Sequence, residues 1–119
     1  MDSEILLKKL KLHSRKRIAV SALTVAELEY GVSNSGQPER NRIALIKFIS
    51  FFDVIPFDDA DAVAYGKIKA DLKKVGKLIG PIDMLLAGQA VSKKLVLVTN
   101  NIKEFERVNS LKIDDWTKE

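Results

Sequence analysis

Apolar residues recur along this chain in two rhythms, and the alternation between them predicts helices separated by short strands. From Asp2 to about Leu12, the residues Ile5, Leu6, Leu10 and Leu12 stand among lysines behind a capping Asp2 or Ser3, the pattern of a short amphipathic helix. The basic stretch His13 to Arg17 leads into Ile18-Ala19-Val20, a compact apolar run expected to be a buried strand. Thr24 and Glu27 have the spacing of a capping box, and Val25, Leu28 and Val32 then share one helical face as far as Ser33-Asn34-Ser35-Gly36. Pro38 opens a further helix, predicted to carry Ile43, Leu45, Ile46, Phe48 and Ile49 inward.

Phe51 to Ile55, ahead of Pro56, has the composition of a second strand. Asp58 or Asp59 is placed to cap a longer helix that presents Ala62, Ala64, Tyr65, Ile68 and Leu72 and closes at Gly76. Pro81 suits the first turn of a helix running through Met84, Leu85, Leu86, Ala90 and Val91. Leu95 to Thr99 is the most continuous apolar run, expected to be a strand covered on both faces and central or nearly so in its sheet. A helical turn near Lys103 to Phe105, a strand near Leu111 to Ile113 and Trp116 packed back onto the fold complete the pattern. Strands alternating with helices predict one α/β domain over residues 1–119, with a parallel sheet between helices and ligands beyond the carboxyl ends of the strands.

Composition narrows the classes of function. No apolar run in the 119 residues approaches the ~18 needed to span a bilayer, and the Met-Asp-Ser-Glu start lacks the features of a secretory signal. The chain has no cysteine, which removes disulfides and a thiol nucleophile, and a cytoplasmic location is the expectation. The net charge of +4 suits a phosphate-bearing or an acidic protein partner. No Gly-x-x-x-x-Gly-Lys, Gly-x-Gly-x-x-Gly or Gly-x-Ser-x-Gly loop is present, so phosphate-loop nucleotide binding and serine hydrolase chemistry lack their frameworks.

Three polar positions fall where this architecture would place a ligand: Glu27 in a helix after a strand, Asp83 in the first turn of another, and Asn100-Asn101 just past Thr99. Carboxylate and amide oxygens are hard ligands suited to magnesium or manganese, whereas a single His13 and no cysteine argue against zinc. Each position also has a purely structural reading. Glu27 closes a capping box with Thr24, Asp83 complements its helix dipole, Asn100-Asn101 forms a strand-ending turn, and Glu104 is a solvated first-turn glutamate. Likewise Lys67, Lys69, Lys73, Lys74 and Lys77 form either a phosphate-facing surface or the wet side of a helix.

The wording of the segments adds a resemblance. Ser-Ala-Leu-Thr-Val-Ala-Glu-Leu-Glu-Tyr-Gly over Ser21 to Gly31 resembles the VapC branch of the PIN-domain ribonucleases. Pro38-Glu39-Arg40-Asn41, Val54 to Asp58, Ala64-Tyr65-Gly66, Gly80 to Asp83, and Leu97 to Asn101 with Glu104-Phe105 follow in that family's order. The resemblance implies a three-layer PIN-like α/β domain with a mainly parallel sheet. It implies a magnesium-dependent endoribonuclease toxin, with manganese as the alternative ion, restrained by a VapB-type antitoxin, dimeric, and acting on structured RNA such as tRNA. Glu27 and Asp83 match the second and third acidic positions and Asn101 the fourth; Glu104, Thr24 and Thr99 are supporting neighbours. The family's opening strand, ending in a Leu-Asp-Thr-Asn-like motif with the first metal-binding aspartate, has no counterpart in these residues. Either the start codon lies further upstream or the chain is a shortened toxin. The competing expectation is thus a catalytically incompetent module that only binds an antitoxin or a second copy of itself; a receiver-like signalling domain lacks its strand-end aspartate.

Overall fold

A computed structural model describes residues 18–115, so the helix expected before Leu12, His13 and Trp116 lie outside the described residues. The chain divides into two compact units that meet between Pro56 and Phe57. In the first, strand β1 (Ala19–Ser21) leads into helix α1 (Ala22–Ser33) and helix α2 (Pro38–Ile49), which returns to strand β2 (Asp53–Ile55). The strands pair in parallel, Ala19 with Asp53 and Ser21 with Ile55, and the two helices supply the crossover that parallel strands need.

Two expectations for this unit change. Helix α1 starts earlier than the Thr24–Glu27 spacing implied: Ser21 is the N-cap, and its side chain accepts from Leu23 N at 3.1 Å. A serine at the end of a strand is already extended and can turn its hydroxyl onto the first free N–H, so Thr24 lies inside the helix. Helix α2 buries Leu45 and half-buries Ile49, whereas Ile43, Ile46 and Phe48 are exposed at 57%, 55% and 49%. At about 100° per residue, Leu45 and Ile49 share a stripe while the other three are spread around the helix, so no single packed face could take all five.

The second unit holds the larger core. Helix α3 (Asp59–Lys74) and helix α4 (Pro81–Ser92) pack closely, followed by strand β3 (Val96–Val98), the single-turn helix α5 (Ile102–Phe105) and strand β4 (Lys112–Asp114). Ile68, Leu72, Ile79, Met84, Ala87, Phe105 and Val108 form the buried cluster, with Leu97 and Ile113 of the strands packed against it. Close approach of the helices needs Gly88, where a Cβ would stand 2.8 Å from the Tyr65 backbone nitrogen. Helix α3 begins with a capping box between Asp58 and Asp61. It ends at Gly76, whose φ of +67° lets Gly76 N and Lys77 N turn back to the Lys73 and Leu72 carbonyls, a Schellman closure. Lys94 closes α4 in the same way at φ +56°, without the freedom of glycine.

Strands β3 and β4 are also parallel. The expectation that β3 is central and covered on both faces is not met among the described residues: it pairs with β4 alone, and Val96 and Val98 are 54% and 40% exposed while Leu97 packs inward. Continuous apolar composition here serves a strand with one packed face. No helix among the described residues is long and apolar enough to cross a membrane.

Candidate active site

The end of β3 and the start of α4 create a small oxygen-rich corner in the second unit. Thr99 N donates to the Asp114 carbonyl at 3.0 Å, which anchors the strand end, and Thr99 Oγ1 accepts from Asn101 N at 3.0 Å. That turn sets up α5, and Glu104 on α5 reaches back to the loop before α4. Its Oε1 accepts the Gly80 N–H at 2.7 Å, and its Oε2 accepts from Asn101 Nδ2. Asp83 stands in the first turn of α4, half-buried, within hydrogen-bonding reach of Glu104.

The absent side chain of Gly80 leaves both acids uncovered on its side. A Cβ there would lie 3.5 Å from Asp83 Oδ2 and 3.5 Å from Glu104 Oε1. The Gly80 N–H holds the Glu104 carboxyl below its ordinary range; the Asn101 amide, Asp83 and the Arg107 charge add to this, against partial desolvation. Glu104 is therefore an anion with much of its coordination already in place.

These donors suit a hard divalent cation. Among the described residues no group of three or more His, Cys, Asp or Glu side chains gathers for a metal. Magnesium, however, is commonly held by one or two carboxylates and keeps several waters. Asp83 and Glu104, side by side next to the uncovered Gly80, fit that requirement, with the Asn101 side chain bonded to Glu104 beside them.

Glu27 and Thr24 belong to the other unit. Glu27 is exposed on α1, well past the helix start, so the capping-box role that competed with a functional one is gone. Thr24 is half-buried in the first turn. The structure thus brings together Asp83, Asn101, Glu104 and Thr99. It also shows what sequence reasoning missed: the Gly80 N–H, and Arg107, which donates to the Leu78 carbonyl at 3.1 Å and braces the same loop. Glycine before Pro81 was a signal for the first; nothing local marked the second.

The PIN-domain family model matches residues 2–111. The chain is 43% identical over 101 residues to the tRNA(fMet)-specific endonuclease VapC of Shigella flexneri, covering 85% of this chain and 76% of that protein. It is 44% identical over 100 residues to ribonuclease VapC2 of Haemophilus influenzae, covering 84% and 76%. The crystal structure of DNA-bound VapBC from Salmonella typhimurium superposes with a TM-score of 0.91 at 40% identity, covering 95% of this chain and 85% of that one. VapBC-1 from nontypeable Haemophilus influenzae gives 0.91 at 34% identity, covering 97% and 87%. With its parallel strands and flanking helices, and on these matches, the chain belongs to the PIN-domain family, in the branch of the VapC ribonucleases.

Proposed function

We propose that this protein is a magnesium-dependent endoribonuclease toxin, with Asp83, Glu27 and Asn101 as oxygen donors and Glu104 completing the corner. The observation that carries the reading is the pair of neighbouring carboxylates, Asp83 and Glu104, beside Gly80 at a strand end in a chain of the VapC branch. The residues of the corner have definite tasks. Glu104 is fixed as an anion by Gly80 N and Asn101 Nδ2, so its charge is preorganised rather than recruited from solvent. Thr99 holds the Asn101 backbone, and Asn101 gives its amide nitrogen to Glu104, which leaves its amide oxygen as the donor to a cation. Asp83 faces the same space from the helix start. When bound, magnesium would polarise the phosphodiester and lower the pKa of a coordinated water.

The Shigella flexneri relative is named for cleavage of tRNA(fMet), and the structural neighbours include toxin–antitoxin complexes. By that likeness we assign tRNA as the substrate class, a VapB-type antitoxin as the partner, a homodimer as the working form and the cytoplasm as the compartment. The test is cleavage of tRNA by the purified chain with magnesium, with EDTA, and as Asp83→Asn. Outer partners of a metal ligand are commonly worth 10–100-fold in activity, so removing a direct carboxylate should cost about a hundredfold or more. Equal cleavage by Asp83→Asn, or cleavage indifferent to EDTA, would refute the assignment.

A further inference from the structure

Beside the acidic corner, on the same loop, is an open pocket of about 430 Å³ lined by Gly76, Lys77, Lys103, Glu106 and Arg107. We propose that this pocket is a phosphate subsite that holds the RNA backbone next to the scissile bond. The proposal rests on the ribonuclease reading above and adds to it where the substrate is gripped.

Three cations face one carboxylate here, and their placement follows from backbone features. The left-handed turn at Gly76 ends α3 and carries Lys77 away from the helix axis into the pocket. Arg107 spends one N–H on the Leu78 carbonyl, which fixes the guanidinium while leaving other donors of its fork unspent. Lys103 immediately precedes Glu104. None of the three forms an ion pair with a described carboxylate, unlike Lys67 with Asp71 or Lys93 with Asp58 and Asp61.

Geometry ties the pocket to the corner. One short segment clips the 78–80 loop twice: Glu104 takes Gly80 N, and Arg107 gives to Leu78 O. Across the two residues between those bonds the surface changes from anionic, where a cation would sit, to cationic, where a phosphate would. A backbone that carries one negative charge per nucleotide can use both sides at once. An acidic peptide would gain nothing from that adjacency, which is why the observations favour RNA.

The test separates binding from cleavage. A fluorescent single-stranded oligoribonucleotide is titrated with the full chain in EDTA at several salt concentrations, using wild type, Lys77→Ala/Lys103→Ala, Lys77→Arg/Lys103→Arg, and Lys67→Ala as an off-site control. Each phosphate contact on single strands contributes about 0.7 to the slope of log K against log salt. The double alanine variant should therefore flatten the slope by about 1.4 and bind about 25-fold more weakly at about 0.1 M salt, with the arginine pair and the control near wild type. Thermal melts establish that the variants are folded. Affinity within twofold of wild type, or a loss with no change of slope, overturns the subsite. So does retained RNA binding with lost affinity for an acidic antitoxin peptide, which would assign the cations to a protein partner. A wild type that cleaves tRNA with magnesium, while it binds no oligoribonucleotide in EDTA or the double variant binds normally, sinks the subsite alone; a wild type that binds no RNA and cleaves no tRNA with magnesium sinks the subsite and the ribonuclease reading together.

Discussion

Replacing Gly88 by alanine should destabilise the protein even though alanine is the better helix former. The added Cβ would stand 2.8, 2.9 and 3.0 Å from Tyr65 N, Cα and Cβ, two of them backbone atoms of α3 that cannot rotate away. The helices must separate, and α3 and α4 carry most of the buried cluster between them. Overpacking costs about 1–3 kcal/mol, and a rigid contact this short belongs near the upper end. Alanine returns about 1 kcal/mol of helix propensity, leaving a net loss of about 2 kcal/mol. For a chain of this size that is a fall in Tm of about 6–10 °C. Gly66→Ala is the matched control: it lies within α3, is exposed, and a Cβ there meets nothing within 4 Å. It should raise Tm by about 3–5 °C. Thermal unfolding followed by circular dichroism reads both. An unchanged or higher Tm for Gly88→Ala would mean that the interhelical contact is not tight, and the account of this core would be wrong.

Further outcomes follow from the caps and charges. The two left-handed closures predict opposite signs: Gly76→Ala should lower stability by about 1 kcal/mol, and Lys94→Gly should leave it unchanged or raise it by up to about 1 kcal/mol, measured by urea denaturation. Lys93→Met should lower Tm, because Asp61 is fully buried, one of its oxygens lacks a hydrogen-bond partner, and the other lies 3.2 Å from the Lys93 ammonium; in an Asp61→Asn background the loss should shrink. Asp58 and Glu104 are held below their ordinary values of 3.8 and 4.5, Asp58 chiefly by Lys93 and Glu104 chiefly by Gly80 N. Their contribution is present above those values and is lost as pH falls through the lowered ones. Lys93 is raised from 10.5 chiefly by Asp58, so its contribution is present below that value and lost as pH rises through the higher one. The urea midpoint should thus fall on acidification below about pH 5, and less so in Glu104→Gln.

Much of this was legible in the chain because it is local. Pro38 and Pro81 mark helix starts, Asp58 a cap and Gly76 a stop, each through a backbone preference that acts within a few residues. Parallel pairing was legible because the strands are separated by connections long enough to hold the crossovers that parallel strands need. The candidate oxygens Asp83 and Asn101 could be named from their positions at a helix start and past a strand end. Which apolar residues are buried was not local: Ile43, Ile46 and Phe48 are as hydrophobic as Leu45, and only packing within the fold decides that Leu45 alone is covered. The same holds for the site. That Glu104 bonds Gly80 across 24 residues, that Gly80 lies against two acids, and that Arg107 braces the loop beside Lys77 are decisions of tertiary structure. They depend on two chain segments meeting, and no periodicity along either segment encodes where the other will be.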